Sequence, residues 1–122
     1  MVVFNTGKNE IKLELNMINI MNYEKQAGKS IYDVLTQMEN DRMPSISDIV
    51  MLIKYAANKY NHGVNDKIAV GWLEEYCENH MPIDFVAEYL LDIYKDAGLI
   101  TVDNSEESEV DETEVKDNMF RD

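Results

Sequence analysis

Apolar and charged residues alternate near the start of the chain: Ile11, Leu13 and Leu15 are separated by Lys12 and Glu14. A period of two is the pattern of a half-buried strand. Val2, Val3 and Phe4 form a second β-prone run, and Asn5-Thr6-Gly7-Lys8-Asn9 between the two runs reads as a turn. The pattern predicts a β-hairpin over residues 1–15. Two strands alone are marginally stable, so the hairpin must lie on helices or pair with another chain. Its edge is thus a candidate docking element and a route to a homo-oligomer.

From residue 16 to 98 the period changes to that of helices. Asn16 can cap a helix that runs to Ala27 and stops at Gly28. Ser30, with Asp33 three residues on, caps a second helix whose apolar face is Ile31, Val34, Leu35 and Met38. Asn40-Asp41-Arg42-Met43-Pro44 breaks it. Ser45 or Ser47 opens a third helix with Asp48 in its first turn and Ile46, Ile49, Val50, Ile53, Ala57 and Tyr60 on one stripe. Asn61-His62-Gly63 ends that helix, and Asn65 caps a fourth, with Ile68, Trp72, Leu73 and Tyr76 on its inner face. Pro82 suits the first turn of a fifth helix. Its expected core face is Val86, Tyr89, Leu90, Ile93 and Ala97, and Gly98 is its stop. The expected fold class is mainly α: a small domain of about five helices with an N-terminal hairpin. Connections of three to six residues imply that successive helices pack side by side.

Composition and charge then limit the function. The chain has 122 residues, enough for one domain of ordinary size. Cys77 is its one cysteine and cannot form an internal bridge. No apolar run approaches the ~20 residues needed to cross a bilayer, and the N-terminal residues lack the pattern of a signal peptide. A soluble, intracellular protein is expected. The net charge is -13, which disfavours nucleic acid and anionic membranes as direct ligands. The acidity is uneven: residues 99–122 carry a net of -7 and the first 98 a net of -6. The helical domain is therefore read as 1–98, and 99–122 as an acidic, disordered tail.

Candidate chemistry is sparse. Gly28-Lys29-Ser30 suggests a phosphate loop, but Tyr23 stands where that motif needs a glycine, and a helix pattern rather than a strand leads in. A helix stop followed by a helix cap accounts for the triplet. His62, Cys77 and His80 are the soft metal ligands, and a zinc site would need a carboxylate in addition. Asp103, Ser105, Glu107, Glu109, Asp111 and Glu114 mimic calcium-loop spacing, but Ser108 replaces the glycine that makes the turn. Ser30, Ser45 and Ser47 sit at helix starts, where capping explains them. The expectation is a protein that is not an enzyme and holds no cofactor or metal. Eight methionines and seven tyrosines suit adaptable packing or a contact surface.

The order of elements resembles a known family. A hairpin precedes a helix ending Tyr23-Glu24-Lys25-Gln26-Ala27-Gly28-Lys29-Ser30-Ile31, then comes Pro44-Ser45-Ile46-Ser47-Asp48-Ile49-Val50, then a helix pair ending Asp96-Ala97-Gly98 and an acidic stretch. Residues 1–98 in this way resemble the tail assembly chaperones of long-tailed bacteriophages and related prophages. The resemblance implies a helical assembly factor in the cytoplasm of the bacterial host, absent from the mature virion. Its implied partners are the tape measure protein, which it keeps soluble, and the tail tube protein, which it recruits. Many members of that family exist in a short and a frameshift-extended form. The expected contact with a partner or sister subunit is a face built from Ile46, Ile49, Val50 and Ile53, or from an outward Tyr55 and Tyr94. The competing expectation is an acidic phage-encoded inhibitor, a DNA mimic whose carboxylates imitate a phosphate backbone and occupy a host nucleic-acid-binding protein. Mimicry uses the net charge directly, but it requires a fixed, regularly spaced array of carboxylates.

Overall fold

A computed structural model describes residues 1–101. Of the expected tail, 99–122, the residues from 102 onward, with the calcium-like spacing, lie outside the described residues, while Leu99 and Ile100 are half-buried and packed against the core. Strands β1 (Val2–Asn5) and β2 (Glu10–Leu13) pair antiparallel, Val2 opposite Leu13 and Phe4 opposite Ile11. Phe4, Ile11 and Leu13 face inward, as the alternation predicts. The turn is closed by Thr6, whose backbone N–H donates to the Asn9 carbonyl at 2.9 Å and whose Oγ1 accepts from the Asn9 N–H at 2.9 Å. Gly7 takes a positive φ of 96° there, which glycine adopts without a Cβ clash.

Among the described residues the helical part is α1 (Met17–Ala27), α2 (Asp33–Glu39), α3 (Ile46–Ala57), α4 (Asp66–Tyr76) and a last helical run from residue 82 to 96. That run consists of α5 (Pro82–Phe85), a π-helical turn (Val86–Leu90) and α6 (Leu91–Asp96) without a break. Counted as one, it makes five helices, in agreement with the pattern. Asn16 caps α1 by accepting from the Asn19 N–H at 2.8 Å, and Gly28 ends it in the left-handed conformation at φ 70°. Ser45 starts α3 with a reciprocal box: its Oγ accepts from the Asp48 N–H at 3.0 Å, and Asp48 Oδ2 accepts from the Ser45 N–H at 3.2 Å. Asn65 caps α4 by accepting from the Ile68 N–H at 2.9 Å. The Ser30–Asp33 pair forms as expected, but residues 30–32 make a turn and α2 begins at Asp33.

The hairpin is held between helices rather than left free. α3 lies along β2, where the Glu14 N–H donates to the Ala56 carbonyl at 3.0 Å, and α6 lies along β1. Phe4 enters an aromatic cluster with its ring centroid 5.0 Å from Phe85, 5.3 Å from Tyr76 and 5.2 Å from Tyr89, all edge to face. The turn is pinned to the end of α4 by Glu75, which accepts from Thr6 Oγ1 at 2.8 Å and Asn9 Nδ2 at 2.7 Å. Those hydrogen bonds, Asn9 first, hold the Glu75 carboxyl below its ordinary pKa. The hairpin expected to offer a docking edge thus packs on helices through both of its strands.

Two expected helix faces are corrected. In α4 the buried residues are Ala69, Leu73 and Tyr76, while Ile68 is exposed and Trp72 half-buried. Ala69 is fully buried, and α4 packs against α3. In the last run Tyr94 was expected to face outward and is 1% exposed, its hydroxyl donating to the Ile31 carbonyl at 2.6 Å. The π turn is the reason. A turn closed i→i+5 holds an extra residue, so positions after Leu90 swing back relative to the 3.6-residue period. Val86, Leu90 and Tyr94, spaced by four, then all face inward.

Candidate functional site

An open cleft of about 430 Å³ lies where the end of α1, the outer face of α3 and the start of α4 meet. It is lined by Ile46, Val50, Met51 and Val70, with Gln26, Ser47 and Asp66 as its polar members. Local chemistry places each wall. The Ser45 box makes Ile46 the first residue of α3, where its side chain has no preceding turn to cover it. The Asn65 cap sets Asp66 at the head of α4 and Val70 one turn further on. The Gly28 stop leaves Gln26 in the last turn of α1.

One end of the cleft is closed by a polar cluster. Lys54 Nζ lies 3.0 Å from both Gln26 Oε1 and Asp66 Oδ1, and 4.9 Å from the centroid of the Tyr55 ring. The Tyr55 hydroxyl donates to the same Gln26 oxygen. Burial pushes the Lys54 ammonium toward neutrality, but Asp66 and Tyr55 outweigh it and its pKa rises. The cluster ties three helices together and leaves the apolar floor open.

The expected contact residues divide between this cleft and the core. Ile46 is 55% exposed and Val50 lines the floor, so these two come together. Tyr55 is half-buried at the polar end, its ring edge to face with Tyr23 at 6.4 Å. Ile49 and Ile53 point into the core with Tyr94, and none of the three faces the cleft. Burial pushes the Tyr23 hydroxyl up to about 12 and raises that of Tyr94 as well. Met51 and Val70 belong to the cleft but not to the expected face. Both sit off the strongest stripes of their helices, and a two-helix cleft uses residues at the border of each stripe.

A second apolar groove, about 340 Å³, lies between α2 and α6 and is lined by Leu35, Met38, Leu91 and Ile100 with Glu39 at its rim. On α1, Met17, Ile18 and Met21 are exposed together, at spacings that share one helix face.

Several of the residues considered for chemistry have structural partners. Gly28 closes α1, Lys29 Nζ lies 2.8 Å from Asp48 Oδ1, and Ser30 Oγ accepts from the Tyr32 N–H at 3.0 Å. His80 stacks on Tyr76 with ring centroids 4.4 Å apart. Cys77 ends α4, and burial pushes its thiol up. Among the described residues no group of three or more His, Cys, Asp or Glu could hold a metal ion. None of the described helices is long and apolar enough to cross a membrane.

Many carboxylates of the domain are committed to internal partners. Glu14 accepts from Lys59 and Tyr60, and those hydrogen bonds hold it below its ordinary pKa. Asp48 pairs with Lys29, Asp66 with Lys54 and Glu78 with Lys8. Glu24 accepts from the Ile31 N–H, and Glu88 accepts from the Tyr76 hydroxyl.

Residues 2–119 match a model described as a family of unknown function, DUF6096. No curated protein and no solved structure matches the chain.

Proposed function

The chain belongs to the DUF6096 family, whose description assigns no activity, and from that premise we propose a non-enzymatic assembly chaperone that covers apolar helical segments of a client. The observation that carries this reading is the α1–α3–α4 cleft: an apolar floor with exposed Ile46 and Val70, bounded by a polar cluster. An amphipathic helix can lay two or three side chains into such a cleft. The resemblance of residues 1–98 to phage tail assembly chaperones supplies the client, the tape measure protein, and the tail tube protein as the recruited partner. The setting is the cytoplasm of an infected bacterium.

One cleft of this size gives a weak contact. Filling it buries parts of Ile46, Met51 and Val70, and full burial of one such side chain is worth only about 1.5–3 kcal/mol. Many copies along one long client gain strength by avidity instead. A net charge of -13 on each copy keeps the coated client soluble and limits contact between coats.

DNA mimicry draws on the same net charge, and the geometry disfavours it. Glu14, Asp48, Asp66, Glu75 and Glu88 are tied to partners inside the domain, which is poor material for a free, regular array. The test is co-expression with the tape measure protein of the same gene cluster. Ile46→Asp with Val70→Glu should reduce client retention at high salt at least several-fold while leaving the melting temperature nearly unchanged. Retention equal to that of the native protein would remove the cleft from the account. A partner retained only at low salt would favour mimicry.

A further inference from the structure

We infer that the chain self-associates head to tail: the outer face of α1 in one copy, carrying Met17, Ile18, Met21 and Lys25, docks in the α2–α6 groove of a second copy. Three observations point to this occupant. First, both halves of an apolar contact stand open on one molecule. Met17, Ile18 and Met21 are 70%, 64% and 52% exposed. They lie on the side of α1 opposite Asn19, Ile20 and Tyr23, which are buried. The groove, about 340 Å³, is open between Leu35 and Met38 on one side and Leu91 and Ile100 on the other. The α1 face is turned to solvent and the groove belongs to the same packed domain, so the face reaches the groove of another copy and not its own.

Second, the charges complement each other. Lys25 is exposed in the last turn of α1. Glu39 at the groove's rim is exposed and is the last residue of α2, whose last turn holds no base. The carboxyl end of a helix adds to the negative potential there, so an incoming ammonium is favoured. Third, the spacing agrees. Met21 and Lys25 are four residues apart on α1, as are Leu35 and Glu39 on α2, and residues so spaced share a helix face. With the two helices side by side and running the same way, Met21 over Leu35 sets Lys25 beside Glu39, each about 6 Å further along its helix. The face and the groove are different surfaces of the chain, so the contact is heterologous and can repeat from copy to copy. It is far smaller than a permanent interface, and the association is therefore concentration-dependent. This inference does not depend on the function proposed for the α1–α3–α4 cleft, which is lined by neither the α1 face nor the groove.

The test is sedimentation velocity of the full chain over a concentration series, with two complementary variants. Met21→Asp spoils the α1 face and leaves the groove; Leu91→Asp spoils the groove and leaves the face. Both positions are exposed, and thermal unfolding checks that each variant is folded. The native protein should gain mass with concentration, and each variant alone should remain a monomer. Mixed, the two should form a one-to-one pair through the surviving face and the surviving groove. Lys25→Glu and Glu39→Lys should each weaken the association about fivefold, and the two together in one chain should restore it. This charge exchange decides the matter if an aspartate variant fails to fold. A native protein that is monomeric at every concentration would overturn the inference. So would a mixture without pairs, or association lost in Met21→Asp but kept in Leu91→Asp, the mark of two α1 faces meeting each other.

Discussion

Replacing Tyr94 by Ser separates the two places its side chain could occupy. On the outside of an ordinary helix it would be free, and its removal would cost a few tenths of a kcal/mol. In the structure it is 1% exposed and its hydroxyl donates to the Ile31 carbonyl at 2.6 Å. Truncating a buried aromatic costs about 3–5 kcal/mol. For a domain of about 100 residues, each kcal/mol moves the melting temperature by about 4–8 °C, so Tyr94→Ser should lower it by on the order of 20 °C. Total stability is about 5–15 kcal/mol, and the serine variant will be close to unfolding at ordinary temperature. Tyr94→Phe is the finer probe, since it keeps the ring and removes only the donor to Ile31. Leaving that buried carbonyl unpaired costs about 1–2 kcal/mol, or about 5–10 °C. Tyr55→Phe serves as the control: its side chain is half-buried, and its loss of the Gln26 hydrogen bond should cost under about 1 kcal/mol. Thermal unfolding followed by circular dichroism reads all three. If Tyr94→Ser shifted the transition by less than about 5 °C, the register after the π turn would be wrong.

Glu75 gives the acid limb of stability its shape. Its carboxyl is held below the ordinary value of 4.5 by Asn9 and Thr6. A depressed carboxylate contributes stability that is present above the unfolded value and lost as pH falls through the lower folded value. Glu75→Gln should therefore flatten the fall in melting temperature below pH 4.5, and the Lys8 and Asn9 amides should exchange faster; an unchanged acid limb would refute the linkage. Lys29→Met strands the buried Asp48 carboxylate and should cost about 2 kcal/mol. Adding Asp48→Asn should recover at least half of that loss in denaturant unfolding, and no recovery would mean that the Lys29 stem rather than its charge matters.

The parts of the fold legible in the sequence are those set by side chains acting on the nearby backbone. Asn16, Ser45 and Asn65 cap the helices they were expected to cap, and Gly28 stops α1, because each makes its bond within a few residues. The hairpin followed from its alternation. What escaped depends on distant partners or on a change of period. Ala69 carried little weight as a core residue, yet it is fully buried in the packed domain. The π turn was written in two runs at spacing four, Phe85-Tyr89-Ile93 and Val86-Leu90-Tyr94, which a 3.6-residue template divides wrongly. Half of the cleft was legible: the α3 stripe contained Ile46 and Val50. Val70 and Asp66 could not be attached to them, because only the packing of α4 on α3 brings those residues together. The pairing of Lys29 with Asp48, nineteen positions apart, was hidden for the same reason.

The central claim is that apolar contacts in the α1–α3–α4 cleft hold a helical client. The direct measurement is co-purification of the tape measure protein with the tagged chain at low and at high salt, for the native sequence and for Ile46→Asp, Val70→Glu. The account predicts retention at both salt concentrations by the native protein and its loss at high salt in the variant, with unchanged thermal unfolding. Equal retention by variant and native protein, or retention that vanishes in both at high salt, would contradict it.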